Sequence, residues 1–180
     1  MIKNTSTTYG LIARLLHWVL AILIITLISV GLYMSELPNS EDKWRMIGMH
    51  KATGMLVLSL VIVRGIWRLM NVQPELPKSV PAILARLAHA NIFILYFLMI
   101  AMPVSGILGS LSAGYPISFF DLFVIPAFAM KYEVFSSYCW WTHGICAWLL
   151  ICLIIAHIGA GLYHHFIRKD NVLRRMWSEN

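Results

Sequence analysis

Four stretches of this chain run for twenty residues or more with few charges, and polar or proline-bearing segments separate them. They are Leu11–Tyr33, Ile47–Leu69, Leu84–Leu108 and Thr142–Ile167. A helix needs about 20 apolar residues to cross a hydrocarbon layer roughly 30 Å thick, so each run is long enough to span a bilayer. The first run is too long for a signal-peptide core of about 7–15 residues. It also lacks a small-residue cleavage site before Tyr33-Met34-Ser35-Glu36, and is read as a retained helix.

The connecting segments alternate in character. Ser35–Met46, with Glu36, Glu41 and Asp42, reads as a polar loop. Asn71–Pro81 is a loop punctuated by prolines. Leu111–Ser137 is longer and partly apolar, but Pro116, Asp121 and Pro126 interrupt it. It is expected to lie on the membrane surface over one end of the helices rather than to form a fifth span. The pattern predicts an all-α integral membrane four-helix bundle, a single domain over residues 1–180, with antiparallel helices. Gly31, Gly54, Gly106, Gly159 and Gly161 are expected to permit close helix approach.

Composition points the same way: 59% of residues are hydrophobic and 12% charged, against roughly 25% charged in an average soluble domain. Charge adds orientation. Lys3, Arg14, Arg64, Arg68, Lys78, Arg86, Arg168, Lys169, Arg174 and Arg175 fall on one side of the four spans. Only Lys43, Arg45, Lys51 and Lys131 fall on the other. Basic residues resist translocation, so both termini are expected to be cytoplasmic, and an even number of spans agrees with that. The bias explains the high isoelectric point of about 9.4 without a nucleic-acid partner, and it favours contact with anionic lipid. Trp44, Trp140 and Trp141 suit an outer aromatic belt, and Tyr9 and Trp177 an inner one.

Histidines supply the candidate chemistry, because ionisable residues inside a span are costly and usually functional. His143 and His157 stand fourteen residues apart. On a helix that is a rise of about 21 Å and a return to within about 40° of the same direction. His50 falls at the outer level with His143. His17 falls at the inner level with His157. His89 is a rival for the inner place, three residues after Arg86 as His17 is three after Arg14, and depth does not choose between them. The plainer reading of any one of these is a hydrogen-bonded interfacial residue. For His164 and His165, beside Arg168 and Lys169, surface placement is the default.

Two facing imidazoles at each of two depths suit two six-coordinate haems, since imidazole is a common axial ligand of haem iron. Zinc fits less well, because a structural site takes four protein ligands and no carboxylate lies inside a span. Cys139, Cys146 and Cys152 form no CxxCH, which argues against covalent haem attachment. Cys146 and Cys152 read as small core residues. Arg64, fourteen residues after His50, faces the inner level. There it either pairs with a haem propionate or anchors the helix end as a plain cation.

"LLHWVL" around His17, "MIGMHKATG" around His50, "WTHGICAW" around His143 and "AHIGAGLYHHFIRKDNVLRRM" from His157 resemble the prokaryotic di-haem cytochrome b561 family. "LAHANIFILYFLMIAMPVSG" resembles its third helix, and the resemblance covers nearly the whole chain. It implies a four-helix bundle of the bacterial inner membrane with two non-covalent b-type haems. It also implies the ligand pairs His17 with His157 and His50 with His143, leaving His89 outside the set. One kind of member is a superoxide oxidase, which passes electrons from superoxide outside to ubiquinone in the membrane. Similar helical cytochrome b subunits serve formate dehydrogenases and nickel hydrogenases.

The expected activity is therefore a superoxide:quinone oxidoreductase. Lys43, Arg45 and above all Lys51, next to His50, would draw the anion, although Glu36, Glu41 and Asp42 cancel any general positive field on that side. His164, about two turns beyond His157, is the candidate proton carrier for quinone, with Arg64 or Arg68 nearby. The alternative is an electron-carrying membrane subunit docked to a separate dehydrogenase or hydrogenase. A haem-free transporter that uses these histidines for protons or metal is a third class. A homodimer is compatible with the sequence.

Overall fold

The computed structural model describes residues 1–77 and 79–177. Lys78, counted above with the basic residues of one side, lies outside the described residues, as do Ser178, Glu179 and Asn180. Four long helices dominate: α1 (Leu11–Glu36), α2 (Glu41–Leu69), α3 (Ala82–Ser112) and α4 (Glu133–Tyr163). All four are long and apolar enough to cross a membrane. At 31 residues, α3 would extend about 46 Å, longer than the hydrocarbon layer is thick.

Helix α2 starts before its apolar run because its N-terminus is capped there. Ser40 accepts a hydrogen bond from the Lys43 amide (3.2 Å), and Glu41 and Asp42 occupy the first turn of α2. Acidic side chains there complement the helix dipole. The expected polar loop Ser35–Met46 is thereby reduced to four residues, 37–40. Helix α4 begins nine residues before Thr142.

The long connection is also more ordered than a surface loop. β1 (Ile117–Phe119) and β2 (Phe123–Ile125) form an antiparallel hairpin with Phe119 opposite Phe123. The Leu122 amide donates to the Phe119 carbonyl (3.0 Å). Phe120 and Asp121 between them both have positive φ, as a tight hairpin turn of matching twist requires. Ile117 is fully buried, and β1 packs on α2. The hairpin therefore covers the end of the bundle near His50.

Packing follows chain order: α1 lies on α2, α2 on α3 and α3 on α4. The apolar core is thin. One cluster joins Leu20, Ile24, Val57 and Val61, and another joins Leu95, Leu98, Cys146 and Leu150. Large apolar side chains such as Ile22, Phe93, Phe97, Trp148 and Ile155 are exposed. That is the inverse of a water-soluble bundle and suits a lipid surround. Cys152 belongs to this exposed set, so the expectation of a core residue holds for Cys146 and fails for Cys152.

Both termini meet at one end and are tied to the α2–α3 connection. Asn4 Nδ2 donates to the Val72 carbonyl (2.9 Å), and Asn4 Oδ1 accepts from the Gly10 amide (2.9 Å). A Cβ on Gly10 would collide with the backbone of Ile2 and Lys3, so glycine is needed for the N-terminal segment to fold back. From the other terminus, Trp18 Nε1 donates to the Met176 carbonyl (2.8 Å) and Arg175 Nη1 to the Glu75 carbonyl (2.7 Å).

Candidate functional site

Helix α4 supplies a histidine at each of two levels. At the end where the termini meet, His157 faces His17 of α1, with ring centroids 6.1 Å apart and planes inclined by 67°. At the hairpin end His143 faces His50 of α2, at 6.4 Å and 70°. Neither α1 nor α2 packs closely on α4, so the imidazoles reach across between helices that stand apart. His89 is exposed on α3 and faces neither pair. The ring contacts thus separate His17 from His89, which depth alone did not.

Each ring has its own surroundings. His143 Nδ1 lies 2.8 Å from the Met102 carbonyl oxygen. A carbonyl only accepts, so Nδ1 carries the proton and Nε2 keeps its lone pair, the arrangement a metal-ligating histidine needs. Gly106 makes this approach feasible: a Cβ there would lie 2.9 Å from His143 Nδ1. Gly31 stands beside the His50 ring, where a Cβ would be 3.4 Å from Cε1. These two glycines make room for imidazoles. Gly54 and Gly159 meet nothing within 4 Å of a built Cβ, so the expected role in close helix approach does not apply to them. Arg64 donates to the Ala13 carbonyl (2.8 Å) and lies 3.4 Å from His17 Nδ1, at the level of His17 rather than of His50, as its spacing from His50 predicts.

Lys51 is not a free surface ammonium. Its Nζ donates to Ser110 Oγ (3.2 Å) and to the Pro116 carbonyl (2.9 Å), tying α2 to the end of α3 and the start of the hairpin. Lys43 is likewise bound to the Leu37 carbonyl (2.6 Å). An ammonium has three donors, so Lys51 keeps one.

His164 departs from the default of surface placement. It opens a π-helical turn, His164–Arg168, that continues α4. Its Nδ1 lies 2.6 Å from Asp170 Oδ2, and both side chains are largely shielded. Lys169 adopts the left-handed conformation, which turns the chain so that Asp170 returns to His164. The Val172 amide binds the other oxygen of Asp170 (3.1 Å), and Arg168 Nε is 3.7 Å away. Burial works against the charged carboxylate, but these hydrogen bonds and charges outweigh it and hold the Asp170 carboxyl below the usual range. Stability from this pairing is therefore present above the usual carboxylate range and is lost as the pH falls through the lowered value.

Residues 8–179 match the model of the prokaryotic cytochrome b561 family. The chain belongs to the prokaryotic cytochrome b561 family. Among its relatives, "Cytochrome b561 homolog 2" of Escherichia coli (strain K12) is 34% identical over 177 residues, 96% of this chain and 93% of the relative. "Probable superoxide oxidase CybB" of Yersinia pestis is 29% identical over 162 residues, 89% and 90% of the two chains. "Cytochrome b561 homolog 1" of Escherichia coli (strain K12) is 27% identical over 166 residues, 89% and 92%. This cytochrome b561 is thus a multi-pass electron-transfer protein of the bacterial inner membrane, and its family implies b-type haem.

The residues present fit that group. Imidazole nitrogens about 2 Å from a metal, on opposite sides of it, hold their ring centres roughly 6 Å apart. Both histidine pairs have that spacing. Among the described residues, no three His, Cys, Asp or Glu side chains converge as a metal site. Two imidazoles per level suit an ion whose remaining ligands come from a macrocycle.

Sequence reasoning missed the supporting groups. The Met102 carbonyl carries no side-chain signal. Asp170 lies within the quoted "KDN", but its pairing with His164 depends on the π-helical turn and on Lys169, which no spacing rule for a regular helix anticipates.

Proposed function

We propose that this cytochrome b561 carries electrons between its two ends with two b-type haems, one held by His17 and His157, the other by His50 and His143. The two facing imidazole pairs carry this reading. Haem, when bound, supplies one-electron iron chemistry. With two imidazoles holding each haem iron, substrates would be met by side chains and not by metal. Arg64, fixed on the Ala13 carbonyl beside His17, supplies positive charge for a propionate. The end with both termini faces the cytoplasm, as the distribution of lysine and arginine requires.

At the hairpin end, Lys51 has one N–H beyond those bound to Ser110 and Pro116 and is the contact for a small anion. Superoxide is the donor favoured, on the strength of the relative "Probable superoxide oxidase CybB". At the other end, Asp170 accepts a hydrogen bond from His164 Nδ1 and leaves Nε2 to exchange a proton with quinone oxygen. Asp170→Asn removes the charge that orients this ring. Quinone reduction by the purified cytochrome is expected to fall about tenfold or more with haem content unchanged; an unaltered rate would remove His164 from the reaction.

The reading as a whole is tested by haem quantitation and a reduced-minus-oxidised spectrum of the purified chain. Two b-type haems per chain with low-spin, bis-imidazole bands are expected. A colourless protein, or one saturated at a single haem, would end it.

A further inference from the structure

Helix α2 buries two guanidinium groups one turn apart, Arg64 and Arg68, both half-buried in a membrane-spanning segment. A cation taken out of water needs an anion or a dense set of acceptors. Among the described residues neither arginine has a carboxylate partner. Arg64 uses the Ala13 carbonyl and lies 3.4 Å from His17 Nδ1, and Arg68 donates to Gln73 Oε1 (2.8 Å). Every one of these partners is neutral.

A third polar group lies against them. Tyr96 of α3 packs on the cluster of Leu20, Ile24, Val57 and Val61. Leu20 is one turn from His17, and Val61 is one turn from Arg64. The Arg68 guanidinium carbon is 6.0 Å from the Tyr96 ring centroid. The phenolic oxygen of Tyr96 is buried with no hydrogen-bond partner. A phenol seldom remains unpaired inside a protein, because burial removes water without replacing it. Arg64 thus lies beside His17, and Arg68, one turn along α2, lies over the ring of Tyr96, whose hydroxyl is unused.

We infer that Arg68 and the Tyr96 hydroxyl, together with Arg64, form a carboxylate receptor for a propionate of the haem between His17 and His157. This rests on the two-haem reading above. The guanidinium groups supply charge and Tyr96 donates the neutral hydrogen bond that fixes the carboxylate. Positive charge and donors near a haem carboxylate favour the reduced state, so their removal lowers the potential of that haem and not of the other. An anionic lipid phosphate would satisfy the same donors, but it is not joined to the porphyrin, and Tyr96→Phe would then leave both midpoints in place.

The test is an optical redox titration of the purified, haem-loaded cytochrome carrying Tyr96→Phe or Arg68→Gln, with haem counted in each. Tyr96→Phe deletes one oxygen without changing charge or shape, and Arg68→Lys keeps the charge without the fork. The expected result is two haems per chain, a downward shift of one midpoint in Tyr96→Phe and Arg68→Gln, a smaller shift in Arg68→Lys, and the second midpoint unmoved. Both midpoints unchanged in Tyr96→Phe would overturn the assignment, whatever Arg68→Gln does, because charge removal acts at long range. Equal shifts of both midpoints would overturn it too. Loss of haem from the unsubstituted protein would instead strike the two-haem reading itself.

Discussion

His143→Ala is expected to yield a folded chain holding one haem in place of two, with the remaining haem unchanged in spectrum and potential. His157→Ala should give the complementary protein, which retains the other haem. The reason lies in the geometry. Helix α4 contributes to both pairs, but the pairs use different partner helices, α1 at one level and α2 at the other. The apolar clusters around Leu20, Val61, Leu98 and Leu150 are made without His143 or His157, so the bundle has reason to survive either loss. Haem per chain, counted after reduction, should fall from two to one in each variant and to none in the double variant. Two haems retained in His143→Ala would refute the pairing of His143 with His50.

Gly106→Ala should reproduce much of the His143→Ala effect without touching a histidine. The added methyl would lie 2.9 Å from His143 Nδ1 and 3.0 Å from Cε1, inside ordinary contact. The ring is rigid, so it must move away and lengthen its hydrogen bond to the Met102 carbonyl. That bond sets the tautomer and direction of the ring, and loss of such support typically costs about 10–100-fold in affinity. Partial or complete loss of the same haem is expected, with the His17–His157 haem retained. Gly48→Ala is the control, because a Cβ there meets nothing within 4 Å. Equal haem content in Gly106→Ala and Gly48→Ala would show that the His143 ring is not held as described.

The arrangement of the helices explains how a thin apolar core can suffice. The chain buries few large side chains, and lipid rather than protein covers most of the exposed ones. In lipid, helix association draws on packing and hydrogen bonds more than on escape from water. The polar ties at the terminal end, from Asn4, Trp18, Arg168 and Arg175, add hydrogen bonds that join the chain ends to α1 and to the α2–α3 connection.

Much of this is legible in the sequence. Hydropathy alone marks the four spans, since a backbone in lipid must satisfy its own hydrogen bonds and a long apolar run has the helix as its solution. The 3.6-residue period places His143 and His157 on one face, and the same spacing carries Arg64 from the level of His50 to that of His17. Those inferences act within one helix, where rise and rotation per residue are constant. Relations between helices are of another kind. Whether His17 or His89 meets His157 depends on the rotation of α1 and α3 about their axes, which the packing of neighbouring side chains sets. The binding of Lys51 to Ser110 and Pro116, the return of Asp170 to His164 through a π-helical turn, and the seating of Tyr96 beneath Arg68 all join residues whose separation in the chain carries no distance information. Hydropathy decided the spans, and the constant rise of a helix decided the depth of each histidine; the tertiary structure decided which groups touch, because contact depends on helix rotation and irregular turns that only the whole packed chain can set.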